Sequence, residues 1–143
     1  MKAFATVLIG FIAGLAISGV LGDIIVAVNN SAGRISSAWA VAKADKSAAG
    51  GNFSQAAIQY EKALVKINPE NKKLTAKVKN NLALSVFNVA DAAKDAEGIK
   101  KSISVFSQSL ELHKELNDPE SVEQTETNIK EAEAALNLLS AGV

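Results

Sequence analysis

Few residues of this 143-residue chain could take part in catalysis, and they are scattered along it. His113 is the only histidine, and Glu111 and Glu115 lie two positions from it, so on a helix these carboxylates point elsewhere. A catalytic histidine needs an orienting carboxylate and a nucleophile or substrate site beside it. We therefore expect a structural or surface role for His113.

The acidic pairs and the glycines do not indicate a catalytic or metal site. Glu123 and Glu126 can share a helical face, but a solvated face is the expectation, because acids are rarely buried. Gly50-Gly51 lacks the phosphate-loop pattern and a preceding strand. The absence of cysteine excludes disulfides, thiolate metal sites and thiol nucleophiles. We predict no catalytic residue, no metal site, no cofactor and no enzyme.

Charge is balanced over the whole chain but segregated along it. Fifteen basic and fifteen acidic residues give a net charge of zero, which argues against a nucleic-acid binder. Residues 60–80 hold six lysines and two glutamates, whereas residues 118–142 hold six acids and one lysine. These blocks are either two solvated faces or complementary surfaces, which would meet between copies or meet an anionic membrane and a basic partner.

The amino-terminal segment has the length and composition of a membrane span. Residues 3–22 carry no formal charge, and twenty helical residues cover roughly 30 Å, the thickness of a bilayer core. A cleaved secretory signal ending near Ser18 or Gly22 is the alternative, but the apolar run exceeds the usual ~7–15 residues of such signals. We predict a membrane-spanning helix in residues 1–30, with the amino terminus cytoplasmic, and a helical domain in residues 31–143 outside, periplasmic or extracellular.

Small residues recur every fourth position in this span and form one flat stripe on a helix. Membrane helices associate through such faces, although ten of residues 3–22 are Gly, Ala, Ser or Thr, so composition alone also produces stripes. Asp23, at the end of the apolar run, is either an interfacial residue or a partner for another chain. We predict helix packing in the membrane through Thr6, Gly10, Gly14, Ser18 and Gly22.

The rest of the chain has helical periodicity, and we predict an all-α fold. Asn68-Pro69-Glu70 and Asp118-Pro119-Glu120 each combine a capping side chain, a proline and an acid, as helix starts do. Gly50-Gly51 and the region of Glu97-Gly98 indicate the other breaks. The predicted helices cover residues 32–49, 53–67, 70–95, 98–116 and 119–140, and short connections between them imply antiparallel neighbours.

Apolar side chains recur every three or four positions on the last three helices, as amphipathic helices require. We expect the aromatic residues to be buried by default, with Trp39 alternatively at the membrane interface or lining a groove. The three apolar stripes are Leu74, Val78, Leu82, Val86 and Val89; Ile99, Ile103, Phe106 and Leu110; and Val122, Ile129, Ala132, Leu136 and Leu139.

A pattern of small and aromatic residues occurs twice, 46 residues apart. In each copy an aromatic ring lies four positions after one small residue and three positions before another. The small residues let two helices cross closely, and the ring fills the gap between them. The pattern comprises Phe53, Ala56, Tyr60 and Ala63, then Ile99, Ser102, Phe106 and Ser109. The segment GNFSQAAIQYEKAL, residues 51–64, resembles the second helix of a tetratricopeptide (TPR) unit, and Asn81-Leu82-Ala83 looks like the start of the next unit's first-helix signature.

The resemblance to the TPR family covers roughly residues 36–139 and implies about two degenerate units followed by a single capping helix. The 46-residue offset departs from the family's usual repeat of about 34 residues. Families of this kind are protein-binding scaffolds with a concave groove. The resemblance therefore implies TPR-like antiparallel helical hairpins that bind a protein partner.

Three hypotheses for function follow. The first is a non-enzymatic, membrane-anchored protein–protein interaction scaffold or accessory subunit of a membrane complex. The second is a structural subunit of a filament or ring that assembles through its apolar amino-terminal helix. The third is a secreted helical binding module left after signal cleavage. The first two predict a homo-oligomer or a subunit of a larger membrane complex, with a protein or the chain itself as partner and no nucleic acid.

Overall fold

Helices account for all the regular secondary structure in residues 36–142, the part of the chain that the structure, a computed structural model, describes. The predicted all-α fold class is therefore confirmed for this part. The helices are α1 in residues 36–49, α2 (Phe53–Leu64), α3 (Lys72–Ala93), α4 (Ala96–Glu115) and α5 (Pro119–Ser140).

The predicted membrane span in residues 1–30 lies outside the described residues. The same holds for the five residues of its predicted packing face, Thr6, Gly10, Gly14, Ser18 and Gly22. Within residues 36–142, no helix is both long enough and apolar enough to cross a bilayer.

Four of the helices begin at a side-chain oxygen that accepts a hydrogen bond from a backbone N–H of the first turn. This arrangement satisfies one of the N–H groups that a helix start leaves unpaired. The capping residues are Asn52 for α2, Asn71 for α3, Asp95 for α4 and Asp118 for α5. The helix start predicted at Asp118-Pro119 is confirmed, with Pro119 in the first turn.

The helix start predicted at Asn68-Pro69-Glu70 is wrong, because a second capping residue follows it. Asn68 Oδ1 accepts from the N–H of Glu70 at 3.0 Å, and the Asn68 carbonyl accepts from the N–H of Asn71 at 2.8 Å. Pro69 therefore lies at the second position of a β-turn, where its fixed φ is favourable. Asn71 then caps α3 through a 3.1 Å bond from the N–H of Leu74.

Gly98 does not break a helix, as the sequence suggested, but lies inside α4. The chain reverses earlier, at Lys94 (φ 55°) and Asp95, where the N–H of Asp95 bonds to the Ala90 carbonyl at 2.8 Å. A Cβ at position 98 would come within 2.7 Å of Ala90 Cβ, which is closer than two carbon atoms that are not bonded to each other can approach. Gly98 thus permits close contact between α3 and α4.

The buried apolar side chains form two clusters. The larger one joins α1, α2 and the first half of α3, and includes Tyr60, Val78 and Leu82. The smaller one joins the end of α3 to α4 and α5 around Ala90, Ile99 and Ala132. Consecutive helices from α2 to α5 pack against each other, and the connections between them are short.

The predicted apolar stripes differ in how deeply they are buried. Val78, Leu82, Ile99, Phe106 and Leu110 are buried on α3 and α4. The remaining members of these two stripes are Leu74, Val86 and Ile103, which are half-buried, and Val89, which is 38% exposed. On α5 only Ala132 is buried, while Val122, Ile129, Leu136 and Leu139 are half-buried. The last helix packs mainly against α4 and so buries a narrower face.

Candidate binding groove

A polar groove lies between the first half of α3, the last turn of α4 and the first two turns of α5. Its volume is about 650 Å³, and most of its lining side chains are polar. Three separate helices contribute, so the groove exists only in the folded domain. Its lining residues are Asn71, Lys73, Leu74, Lys77, Asn80, Asn81, His113, Asp118, Ser121, Gln124 and Thr125.

Helix α3 presents a cationic and amide face to this groove. Lys73, Lys77, Asn80 and Asn81 follow one another at spacings of four, three and one, so they lie on adjoining rows of the helix. Lys73 and Lys77 are exposed, and no ion pair or hydrogen bond to another described side chain occupies either ammonium. Two cationic groups therefore remain available to a ligand.

An amide and a hydroxyl join α3 to α5 at the base of the groove. Asn80 Oδ1 accepts from Thr125 Oγ1 at 3.4 Å and from Asn128 Nδ2 at 3.3 Å. The single proton of the Thr125 hydroxyl is shared with the Ser121 carbonyl, which accepts it at the shorter distance of 2.7 Å, and the residue is 1% exposed. These contacts join the first half of α5 to α3 at the base of the groove.

His113 is buried in the last turn of α4 and lines the groove. The side chain is 5% exposed, and Nδ1 has no hydrogen-bond partner in the described part of the chain. The nearest carboxylate oxygen is Asp118 Oδ2, 3.7 Å from Nδ1, which is beyond hydrogen-bonding distance. An unsatisfied buried nitrogen is costly, so His113 is a polar group held in the wall of the groove without a hydrogen bond of its own at this atom.

The partner acid of His113 could not be identified from helical spacing. We expected Glu111 and Glu115 to point away from His113, and among the described residues neither carboxylate contacts the imidazole. Asp118 approaches instead, because Asn117 adopts a left-handed conformation (φ 53°) and turns the chain back over the end of α4. The signal in the sequence was Asn117-Asp118-Pro119, which marks a tight turn into a new helix.

Asp118 carries its charge under most conditions. Its pKa lies below the ordinary value of 3.8, first because the Ser121 hydroxyl donates to Oδ2 at 2.8 Å, and second because the Ser121 N–H donates to Oδ1 at 3.2 Å. The charges of His113 and Lys73 contribute less. The groove therefore has one anionic group, which interacts electrostatically with Lys73, and two ammonium groups along α3 that form no ion pair among the described residues.

Ser121, Asp118 and His113 are the residue types of a hydrolytic triad, but their order is different. In a triad the imidazole contacts the nucleophile, and the carboxylate orients the imidazole. Here the carboxylate, and not the imidazole, accepts the hydrogen bond from the Ser121 hydroxyl. Among the described residues, no group of three or more potential ligands is arranged to hold a metal ion.

The residues predicted for TPR-like packing lie away from the groove, in the interior. Tyr60 donates to Asp45 Oδ1 at 2.5 Å, Ser102 donates to the Ile99 carbonyl, and Ser109 donates to the Ala76 carbonyl on α3 at 2.7 Å. Phe53 is half-buried, and the other seven residues are buried: Ala56, Tyr60, Ala63, Ile99, Ser102, Phe106 and Ser109. None of the eight lines the groove.

Trp39 departs from the expectation that aromatic residues would be buried. It is 64% exposed on α1, and the Lys43 ammonium lies 5.5 Å from the centre of its ring. Small residues of α1 pack inward instead, and Ala44 is fully buried.

Two ion pairs of the described residues each take one member from a charge block, and the other member lies outside both blocks. Lys72 pairs with Glu115 at 2.9 Å, and Lys114 approaches Glu126 at 3.9 Å. Both pairs are about half-exposed, so neither adds much stability. The block in residues 60–80 also supplies the groove lysines, which these contacts leave unneutralised.

Comparison with protein-family models, with curated proteins and with solved structures finds no match for this chain. The groove and its geometry are therefore the basis for any functional inference.

Proposed function

We propose that this chain is a membrane-anchored scaffold that holds a protein partner beside the bilayer. The apolar amino-terminal segment is the anchor, and the helical domain binds an extended segment of the partner in the groove of α3, α4 and α5. The observation that carries the proposal is the groove itself, a volume of about 650 Å³ that combines unneutralised lysines, amides and a buried imidazole nitrogen without a partner.

The lining chemistry favours a peptide segment that carries a carboxylate. Asn and Gln side chains offer both a donor and an acceptor, which suits the N–H and C=O groups of an extended backbone. Lys73 and Lys77 suit an acidic side chain, and Asp118 disfavours a second acid close to its own carboxylate. The proposed ligand is thus an extended segment with its acidic residue near α3.

The packing supports a TPR-like architecture as part of this proposal. In this interpretation α1, α3 and α5 are first helices of successive units, α2 and α4 are second helices, and α5 is the unpaired cap. The buried small and aromatic residues of α2 and α4 fit their role as second helices. The groove is lined mainly by residues of α3 and α5, which are first helices in this interpretation.

A pair of matched peptides tests the binding proposal. Two fluorescent extended peptides, identical except that one carries glutamate where the other carries glutamine, are titrated with the full chain in lipid nanodiscs. We expect tighter binding of the glutamate peptide, and a loss of about three- to tenfold in the double variant Lys73→Ala, Lys77→Ala. The readout is fluorescence anisotropy.

The control variant is Lys62→Ala, Lys66→Ala, which removes the same charge from exposed positions outside the groove. Its affinity should stay within twofold of the unmodified chain (about 0.4 kcal/mol). Equal losses in the two double variants would show a diffuse electrostatic attraction and would contradict a peptide groove.

The anchor is tested by the intact mass of the native protein and of its complex. A full-length chain that resists alkaline extraction from membranes supports the scaffold. A monomeric chain shortened near Ser18 or Gly22 would leave a secreted binding module. A large homo-oligomer would favour the filament or ring alternative.

A further inference from the structure

A second surface, on α1, combines an exposed indole with ammonium groups. Trp39, Lys43 and Lys46 follow one another at spacings of four and three, so they lie on one face of α1. The residues around a shallow depression of about 670 Å³ define what we term the α1 patch: Trp39, Ala42, Lys43, Lys46, Ser47, Gly50 and Asn52. The patch shares no residue with the groove.

Carboxylates are absent from the lining of the α1 patch. The acid of the described part of α1 is Asp45, which accepts from the Tyr60 hydroxyl at 2.5 Å and from Asn81 Nδ2 at 3.4 Å. It is therefore engaged with α2 and α3. The exposed face of α1 is left with two cations and a large amphipathic ring, and this combination favours an anionic surface with an apolar layer beneath it.

Phospholipid headgroups provide such a surface. Tryptophan concentrates at the headgroup level of membranes, because its ring is apolar and its N–H is polar. Lysine side chains place their stems along apolar material while their ammonium groups stay among the phosphates. The Lys43 ammonium already lies over the Trp39 ring, so both groups can reach one interface together.

We propose that the α1 patch docks on anionic phospholipids next to the anchor. This inference rests on the proposed function, because it takes the apolar amino-terminal segment to be in the bilayer. A short apolar stretch, residues 24–28, follows Asp23, and its last residue, Val28, lies eleven positions before Trp39. A chain of that length reaches at most about 40 Å, so an anchored chain keeps the patch at a high effective concentration near the lipid surface.

Trp39 reports on this contact without a label, because it is the chain's only tryptophan. The full chain is reconstituted into vesicles of phosphatidylcholine alone and into vesicles that also contain phosphatidylglycerol. We expect the emission maximum of Trp39 to shift to shorter wavelength in the anionic vesicles, and brominated lipid to quench it. Acrylamide quenching should fall by about twofold, and high salt should reverse the change because it screens the attraction.

The variant Lys43→Gln, Lys46→Gln keeps the fluorophore and removes both cations. We expect it to lose the difference between the two kinds of vesicle. The matched control, Lys62→Gln, Lys66→Gln, removes the same charge from α2 and the turn after it, and should retain the difference. Equal behaviour of the two variants would overturn the assignment of the contact to α1.

The remaining outcomes distinguish this inference from the proposed function. If the chain stays with the vesicles but acrylamide quenches Trp39 equally in both kinds of vesicle, the α1 patch does not dock on lipid, whereas the proposed anchor stands. If the chain does not stay with the vesicles, the anchor and the docking surface both fail. A blue shift that grows with the protein-to-lipid ratio and ignores lipid charge would show that a second copy covers the patch.

Discussion

Around α2, nine buried apolar residues from α1, α2, α3 and the turn after α2 form one cluster, whereas around α5 the corresponding cluster has three. Side-chain hydrogen bonds between helices occur in both regions, such as Tyr60 to Asp45 around α2 and Asn128 to Asn80 around α5, so the difference lies in the apolar burial. Apolar burial is the larger contribution to stability per residue, and polar contacts in exchange with water contribute less. The comparison indicates a firm end of the domain around α2 and a looser end around α5, and the start of α5 lines one side of the groove.

The largest loss of stability is expected from Phe106→Ala. Phe106 is fully buried in α4. Removing a buried ring leaves a cavity and costs about 3–5 kcal/mol. Urea unfolding followed by circular dichroism should show this loss in the free energy of unfolding. Val89→Ala, at a residue that is 38% exposed, serves as the control and should change it by less than about 1 kcal/mol.

Gly98→Ala tests how closely α3 and α4 approach at the looser end. Alanine favours a helix over glycine by about 1 kcal/mol, but here its Cβ would meet Ala90 Cβ at 2.7 Å. We expect a net destabilisation of about 1–3 kcal/mol, measured as a lower midpoint of urea unfolding. Gly50→Ala is the matched control, because its Cβ would have only ordinary contacts at 3.5 Å and 3.6 Å. Stabilisation by both substitutions would show that the helices can separate at no cost.

Leu136→Ala weakens the small cluster directly. Leu136 is half-buried on α5, so we expect the free energy of unfolding to fall by about 1–2 kcal/mol. This is at or below the smallest losses seen when a fully buried leucine is replaced by alanine. Amide hydrogen exchange should be faster in α5 than in α2 in the unmodified chain, and the variant should widen that difference. Equal protection of α2 and α5 would contradict the comparison.

Asn71→Ala tests where α3 begins, at the edge of the groove. Loss of this cap should cost about 1 kcal/mol, whereas Asn68→Ala removes only a turn hydrogen bond and should cost less. Thermal unfolding of the two variants shows which substitution lowers the stability more. A larger loss for Asn68→Ala would restore the helix start that the sequence predicted.

Asp118→Asn should change the stability least among these substitutions, and we expect the change only in the pH dependence of stability at acidic pH. Because the pKa of Asp118 is below 3.8 in the folded chain, its charge stabilises the fold above pH 3.8, and this contribution is lost as pH falls through the folded pKa. Asparagine keeps an oxygen that can cap α5 but cannot ionise. Acid titrations followed by circular dichroism should show a shallower loss of stability for the variant below pH 3.8. An unchanged acid transition would locate the sensitive carboxylate elsewhere.

Local signals in the sequence predicted those features that depend on a few neighbouring residues. Asp118-Pro119 begins α5 as expected, because the cap, the proline and the acid that follow one another act within a single turn. The same type of signal failed at Asn68-Pro69, where Asn71 offered a competing cap three residues later. Local patterns therefore predict that a helix begins near a given point, but not which of two adjacent caps it uses.

The candidate groove could be predicted only in its parts. The lysines of residues 60–80 and the single His113 were visible in the sequence, but their proximity was not. His113 lies 40 positions from Lys73, and the turn at Asn117 decides that Asp118 rather than a helical neighbour approaches the imidazole. For Trp39 the type of residue predicted the wrong environment. An aromatic ring is expected to be buried, but Trp39 lies on the outer face of α1 and is exposed.

The sequence by itself determined the all-α class, the approximate number and extent of the helices and the faces that α3 and α4 bury. These follow from a periodicity of 3.6 residues and from capping residues, which act over one or two turns. The tertiary structure alone decided that Gly98 is a contact rather than a break, that His113 is buried beside Asp118, and that α3, α4 and α5 enclose a groove. Such features depend on the relative placement of helices that are distant in sequence, and packing fixes that placement.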